Sequence, residues 1–357
     1  MSWKNIRIKM INAWLSSYCR YKRINLNRPE FSERAIERIV IFSNRRLGDV
    51  MFCTPAIKAI RERYPQADIS LVTSKAHSQW IEPGKYINRV FSMDNNIKDM
   101  FAVIRQLKEI SPQVSVILHA RAPYDVIASV MAGCHTLLKD YYANEPAGMD
   151  KWLFAVTRGR GKHIIQRKLE LVSRLDCQTI QTDMFLPVEV QAIKAGKSTP
   201  LIGFQMGASK PGCRWPVENF VALTEKIVEN CPGSQIVLIG APEERELAER
   251  FFSLLPDELA LHVQNLIGVT TMKQLINTIA GFDLLVTNDT GPLHIAVAAR
   301  TKTVCLFSLT NAAENGPCQD ALLHHIIQAE VDAKAAHPMQ SISVEQVTTA
   351  VFKQLVA

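Results

Sequence analysis

From residue 38 onward the chain alternates between short apolar runs and longer stretches whose apolar positions recur every three to four residues. Short runs rich in Val, Ile and Leu suit strands covered on both faces, while the three-to-four spacing suits helices with one buried side. Residues 39–42, 69–72 and 114–118 read as strands, and 50–64, 97–110 and 162–175 as helices, with Asn95 and Asn96 placed to cap the second helix. The rhythm pauses over 186–200, where Pro187, Gly196, Ser198, Thr199 and Pro200 mark a linker. It resumes with strands at 201–205, 235–239, 284–287 and 303–307 and helices at 218–231, 243–255, 271–280 and 292–300. A last helix, 344–355, has no strand after it and is expected to pack back on the first domain. Alternating strands and helices predict an α/β architecture with parallel sheets.

Two such sets in 357 residues fit two domains. The predicted division is an N-terminal segment 1–34, a Rossmann-like domain 35–185, a linker 186–200, a second Rossmann-like domain 201–340 and a C-terminal helix 341–357. Ligands of such folds collect at the carboxyl ends of the strands, so the loops there are where chemistry is expected.

Composition narrows the class. Hydrophobic residues at 47% and charged residues at 21% are ordinary for a globular protein. No apolar run approaches the ~18 residues of a membrane span. The N-terminus lacks the apolar core and small-residue cleavage site of a signal peptide. Eight cysteines, scattered without a Cys-x-x-Cys pair, argue against a zinc site or a disulfide framework and fit a cytoplasmic protein.

Charge adds a partner. The net charge of +7 suits an acidic one: nucleic acid, phospholipid or a phosphorylated substrate. It is concentrated in 1–34, where Lys4, Arg7, Lys9, Arg20, Lys22, Arg23, Arg28 and Arg34 face only Glu30 and Glu33. Trp3, Ile6, Met10, Ile11, Trp14, Leu15 and Tyr18 fall on one helical stripe of that segment. Two readings stand: a basic amphipathic helix on an anionic membrane surface, or a helix whose stripe packs on its own domain.

Four loops carry candidate chemistry. After the first strand, Arg45-Arg46-Leu47-Gly48-Asp49 sets a carboxylate and two cations at a helix start, suited to one substrate or, for Asp49 alone, to a helix cap. Gly207 to Pro216 has glycines with Ser209, Lys210 and Arg214, which suit a diphosphate; Cys213 and Arg214 stand where a P-loop needs Lys and Ser/Thr, which excludes a nucleoside triphosphatase of that type. Glu243, after another strand, can hold ribose hydroxyls or favour a helix dipole, and Glu244 competes for the role. Asn288-Asp289-Thr290-Gly291-Pro292-Leu293-His294 feeds a strand into a helix whose N-terminus attracts anions. There Asp289 can bind sugar hydroxyls, Thr290 can offer its hydroxyl and Gly291 allows close approach, while His294 can donate to a ligand or hold the loop. Asp-x-Asp is absent, as are Gly-x-Gly-x-x-Gly after the first strand, His-Glu-x-x-His and Gly-x-Ser-x-Gly.

Taken in order, Arg46-Leu47-Gly48-Asp49-Val50 with Thr54-Pro55-Ala56-Ile57 and Tyr64-Pro65, Gly207-Ala208-Ser209 with Arg214-Trp215-Pro216, and Asn288 to His294 resemble glycosyltransferase family 9, the lipopolysaccharide heptosyltransferases. The resemblance covers about residues 38–310, and the long N-terminal extension resembles outer-core enzymes of the heptosyltransferase IV type. It implies a GT-B fold, two Rossmann-like domains with parallel sheets facing across a cleft. It also implies inverting, metal-independent transfer of heptose from ADP-L-glycero-β-D-manno-heptose to a lipopolysaccharide core, on the cytoplasmic face of the inner membrane. No cofactor, metal or nucleic-acid partner is expected. By position, Asp49 resembles the catalytic base, and Ser209, Lys210, Arg214, Glu243, Asp289, Thr290, Gly291 and His294 the donor site. Arg45, Arg46, His119 and Arg121 are expected on the acceptor side. Alternatives are a transferase using another sugar nucleotide such as UDP-GlcNAc, a sugar-nucleotide 2-epimerase, or a non-catalytic nucleotide-sensing or assembly protein.

Overall fold

The computed structural model describes residues 3–26, 36–142, 145, 148–159, 161–191, 199–308, 310–330 and 337–356, with the side chains of residues 3–5 outside that description. The chain divides into two compact units, Met1–Asp183 and Met184–Ala357. The expected linker falls at the start of the second unit, and its residues 192–198, with Gly196 and Ser198, lie outside the described residues.

In the first unit β1 (Arg38–Ser43), β2 (Asp68–Thr73), β3 (Arg89–Ser92), β4 (Val114–His119), β5 (Thr136–Asp140) and β6 (Ala155–Thr157) form a parallel sheet in the order β3-β2-β1-β4-β5-β6. In the second, β7 (Leu201–Gln205), β8 (Gln235–Ile239), β9 (Val263–Asn265), β10 (Leu284–Asn288), β11 (Lys302–Phe307) and β12 (His324–Gln328) form another, in the order β12-β11-β10-β7-β8-β9. Counted from its own first strand, each sheet has the same Rossmann order. The direction of winding therefore reverses between β1 and β4, and again between β7 and β10. Side chains at the carboxyl ends of those pairs border the crevice such a reversal opens. The expected α/β class and GT-B fold are the ones observed.

The central strands are apolar and buried throughout, as a sheet covered by helices on both faces requires: Val40, Ile41 and Phe42 in β1, and Leu284, Leu285 and Val286 in β10, are fully shielded. The helix Ile97–Ile110 starts where expected, with Asn96 accepting a hydrogen bond from the Asp99 amide at 2.9 Å. The short strands β3, β5 and β6 and the helix Tyr124–Ala132 add to the elements predicted from sequence.

Both ends of the chain depart from simple expectation. The N-terminal helix Trp3–Lys22 buries Ile8, Leu15 and Cys19 in the core of the first unit. Asn12 anchors it by donating to the Gly148 carbonyl at 2.7 Å and accepting from Trp152 Nε1 at 2.7 Å. The single predicted stripe is thus two: Ile11 and Leu15 face inward, while Ile6, Met10 and Trp14 remain 37%, 67% and 47% exposed. Arg28, Glu30, Glu33 and Arg34, and the side chains of Trp3 and Lys4, lie outside the description. The last helix, Val344–Val356, expected to pack back on the first domain, belongs to the second unit. Its Val347, Ala350 and Val351 are buried in the core of the second unit, and Lys302 Nζ donates to the Gln354 carbonyl at 3.0 Å.

Candidate active site

The helix after β1, Leu47–Arg63, puts Arg46 at its N-cap and Asp49 in its first turn. Asp49 Oδ2 accepts from the Arg46 amide at 3.1 Å, so Asp49 is not the cap itself but bonds back to it. Its other oxygen, Oδ1, lies 3.3 Å from His119 Nδ1 at the end of β4. The β1–β4 register brings them together: Phe42 pairs with Ile117 but Ser43 pairs with His119, a one-residue slip at the carboxyl ends of both strands. Burial pushes the Asp49 carboxyl above its ordinary value, against the opposing pull of Lys168, the Arg46 amide and the Arg45 and Arg46 charges. His119 is displaced in the other direction. Burial first, then Lys168, Arg45, Lys139 and Arg167, hold it well below its ordinary value, so it is neutral at pH 7. Arg45, Arg46 and Arg121 are exposed. His119, expected beside them, is only 7% exposed and is turned to Asp49 and Tyr142 instead of outward.

The second unit builds a different arrangement at the same topological place. Asn288, the last residue of β10, donates through Nδ2 to the carbonyls of Met206 (2.8 Å) and Gly207 (3.2 Å) and accepts from the Trp215 amide at 3.1 Å. One carboxamide thereby fixes the loop after β7 at both of its ends. Trp215, fully buried, donates from Nε1 to the Ile342 carbonyl at 2.8 Å. Between these anchors Ser209 and Lys210 are exposed, and Arg214 bonds the Ala208 carbonyl through Nε at 3.0 Å.

Beside that loop, Gln205 Oε1 accepts from Thr290 Oγ1 at 3.1 Å and Thr287 Oγ1 at 3.4 Å. Gly291 opens the helix Gly291–Ala299, whose N-terminus carries partial positive charge. Asp289 accepts from Thr310 Oγ1 at 2.5 Å and lies 3.9 Å from His294 Nε2; burial raises its carboxyl, and the Thr310 bond opposes the rise. His294 is 4% exposed, which favours holding the loop over meeting a ligand directly.

The two glutamates separate clearly. Glu243 is exposed. Glu244 folds back over two strand-ending glycines: a Cβ on Gly207 would stand 1.6 Å from Glu244 Oε1, and one on Gly240 2.4 Å from Oε2. Only glycine tolerates that approach. Burial raises the Glu244 carboxyl, with the Ala241 amide and Arg214 drawing it down.

Asn288, Gln205, Thr310, Tyr142 and Lys168 were not among the candidates read from sequence. Asn288 sat within a recognised motif, but nothing there marks its amide as a staple across 73 residues. Tyr142 and Lys168 carry no local signal.

Comparisons with known proteins bear on the family and the fold. The profile of glycosyltransferase family 9 (heptosyltransferase) matches residues 140–342, more than half of the chain. Lipooligosaccharide heptosyltransferase 2 of Haemophilus influenzae is 31% identical over 134 residues, spanning 37% of this chain and 38% of that protein. Lipooligosaccharide heptosyltransferase 2 of Campylobacter jejuni is 24% identical over 286 residues, 77% of this chain and 82% of that protein. Among solved structures, the ADP-heptose LPS heptosyltransferase II of E. coli superposes with a TM-score of 0.73 at 19% identity, covering 90% of this chain and 98% of that one.

Proposed function

The chain belongs to glycosyltransferase family 9, the heptosyltransferases, and on that premise we propose that it transfers heptose from ADP-L-glycero-β-D-manno-heptose to a lipopolysaccharide core with inversion and without metal. The observation that carries the mechanism is Asp49, a carboxylate raised by burial at the reversal point of the first sheet. An inverting transfer is one displacement, so it needs a base on the acceptor and no protein nucleophile. Asp49 takes the proton of an acceptor hydroxyl as that oxygen bonds to the anomeric carbon and the bond to the phosphate oxygen breaks. A carboxylate of raised pKa serves better as a base than an ordinary one.

The leaving ADP develops negative charge. Arg214, Lys210 and Ser209, with the helix beginning at Gly291, are the groups to stabilise it. Asp289 holds sugar hydroxyls, kept in place by Thr310 and His294, and Thr290 lies beside it. Glu244, tucked against Gly207 and Gly240, replaces Glu243 as the choice for the ribose. Arg45, Arg46 and Arg121, all exposed cations on the loops after β1 and β4, suit the anionic groups of a core acceptor. Metal independence is supported by the lack of any Asp-x-Asp in the sequence.

The acceptor is membrane-borne, and the N-terminal helix supplies the means to reach it. Its outward Ile6, Met10 and Trp14, with Arg7, Lys9 and Arg20 on the same exposed side, suit an anionic lipid surface on the cytoplasmic face. No described helix is long and apolar enough to cross a membrane.

The test is incubation with a panel of sugar nucleotides and truncated cores, read by mass spectrometry. Heptose added from the ADP donor alone supports the reading; transfer only from another sugar nucleotide sinks the donor assignment. For the helix, Met10→Glu with Trp14→Glu is expected to weaken sedimentation with anionic vesicles about tenfold, and unchanged sedimentation removes the membrane role.

A further inference from the structure

Behind Asp49 a line of buried side chains runs into the first unit. The His119 nitrogen that faces Asp49, Nδ1, is also hydrogen-bonded to the Tyr142 hydroxyl. The two rings lie 4.0 Å apart, tilted by 32°. Lys168 Nζ then donates to Tyr142 at 3.0 Å, to the Leu118 carbonyl at 2.6 Å and to Asp140 Oδ2 at 3.2 Å. Asp140 in turn accepts from Arg167 at 2.8 and 3.0 Å and from Thr157 at 2.9 Å. Tyr142 and Lys168 come from segments that the mechanism above does not use.

The direction of these bonds follows from what each group can donate. An ammonium has three hydrogens and no lone pair, and all three of Lys168 are engaged. The Tyr142 oxygen therefore accepts from Lys168, and of the two acceptors left for its own hydrogen, His119 Nδ1 and the Leu118 carbonyl 3.4 Å away, His119 is the nearer and takes it. Nδ1 is then an acceptor, with the ring proton on Nε2. Although burial opposes its charge, the Asp140 carboxylate and the hydrogen bond to the Tyr142 oxygen favour the Lys168 ammonium, which lies above its ordinary value, so this direction persists at neutral pH.

An accepting nitrogen beside a carboxylate oxygen sets lone pair against lone pair. Once Asp49 has taken a proton, the same nitrogen can accept its O–H, and the Tyr142 hydrogen can turn to the Leu118 carbonyl, 3.4 Å away. The contact is unfavourable before proton transfer and favourable after it. Interactions that improve only as the reaction proceeds raise turnover and leave ground-state binding alone.

We infer that His119, Tyr142 and Lys168 are a positioning relay that orients Asp49 and accepts the hydrogen of its protonated carboxyl. The inference rests on Asp49 being the base. Protons balance: the acceptor hydroxyl loses one, Asp49 holds it as a neutral acid hydrogen-bonded to His119, and the negative charge departs on ADP. Asp49 releases the proton to solvent after product leaves. The other groups facing Asp49 are Arg45 and Arg46 from its own loop, Lys168 from the helix Ile164–Val172, and the Cys53 thiol, which burial pushes up to about 11 and keeps neutral. Lys139 and Arg167 face His119 from β5 and from that same helix.

The relay is tested by titrating the Asp49 carboxyl through 13C NMR of the whole protein, its signal assigned by its loss in Asp49→Asn. Tyr142→Phe leaves Nδ1 without a donor, so the ring proton can move there and bond the carboxylate; His119→Asn offers an amide donor in the same place. Both are expected to lower the Asp49 midpoint by about one pH unit. The acid limb of the kcat profile should move with it, and plateau kcat should fall about tenfold with donor KM unchanged. A residue that only fills space would move none of these midpoints. Unmoved midpoints in both variants, or changes confined to KM, overturn the relay. Because the titration needs no turnover, its failure is separate from that of the base assignment, which falls if Asp49→Asn keeps near-normal turnover.

Discussion

The two units share one strand order and build opposite kinds of polar interior at the same place in it. At the β1–β4 reversal the polar interior is ionic: Lys139 pairs with Asp125 at 2.5 Å and Glu145 at 3.0 Å, and Lys168 and Arg167 pair with Asp140. At the β7–β10 reversal it is mostly neutral, with the carboxamides of Asn288 and Gln205 and the hydroxyls of Thr287 and Thr290. A reactive carboxylate has to be held at an unusual protonation energy, and desolvation, nearby charges and hydrogen bonds do that. A binding loop has to be held in shape, and amides do so without competing for an anionic ligand. On the proposed reading, the same topology separates reactivity from recognition, one in each unit.

That contrast can be broken at several points. Asp49→Asn carries the largest expected effect: turnover falls by about 10²–10⁴, while calorimetric ADP affinity, a property of the other unit, stays within about twofold. Arg214→Ala is expected to weaken ADP binding roughly tenfold or more, the worth of a charge-assisted hydrogen bond. The Asp49 carboxyl titration should not respond; a shift there would show that the two places are not independent. Asn288→Ala leaves the Trp215 amide and two loop carbonyls without their partner, and should lower chemical-denaturation stability of the second unit by about 1–3 kcal/mol along with ADP affinity.

The smallest effect concerns stability and pH. Burial raises the folded Asp49 carboxyl, so above the unfolded carboxylate value of about 4 its ionised form opposes folding. Asp49→Asn removes that cost and should melt slightly above wild type at pH 7. The gap should close as the pH falls below about 4, where the unfolded carboxyl is protonated too. A variant that melts lower at pH 7 contradicts the desolvated carboxylate.

Sequence made the loops of the second unit more legible than the surroundings of Asp49. The strands at 201–205 and 235–239 coincide with the observed ones and the strand at 284–287 nearly so, and the residues proposed for the donor lie on the loops that follow them, where local pattern and candidate chemistry coincide. The strand Thr136–Asp140 escaped because its last residues, Lys139 and Asp140, are charged yet fully buried, which breaks the apolar pattern a covered strand should have. Those two charges belong to the ionic network, so the feature that concealed the strand is the one that matters for Asp49. The partners of His119 are 23 and 49 residues further on, at Tyr142 and, through it, Lys168, and only the fold joins them. The N-terminal stripe was read as a choice between membrane and domain because helical spacing cannot show that Ile8 and Cys19 would carry the packing and leave Met10 and Trp14 outside.

The most direct test of the account is the product formed when the wild-type chain is given ADP-L-glycero-β-D-manno-heptose and a heptose-deficient lipopolysaccharide core in excess chelator, identified by mass spectrometry and anomeric NMR couplings. The account predicts ADP release matched by one α-linked heptose on the acceptor, since a single displacement at a β-linked donor inverts it. A donor that is isomerised or hydrolysed with the core untouched, or transfer that the chelator abolishes, would contradict it.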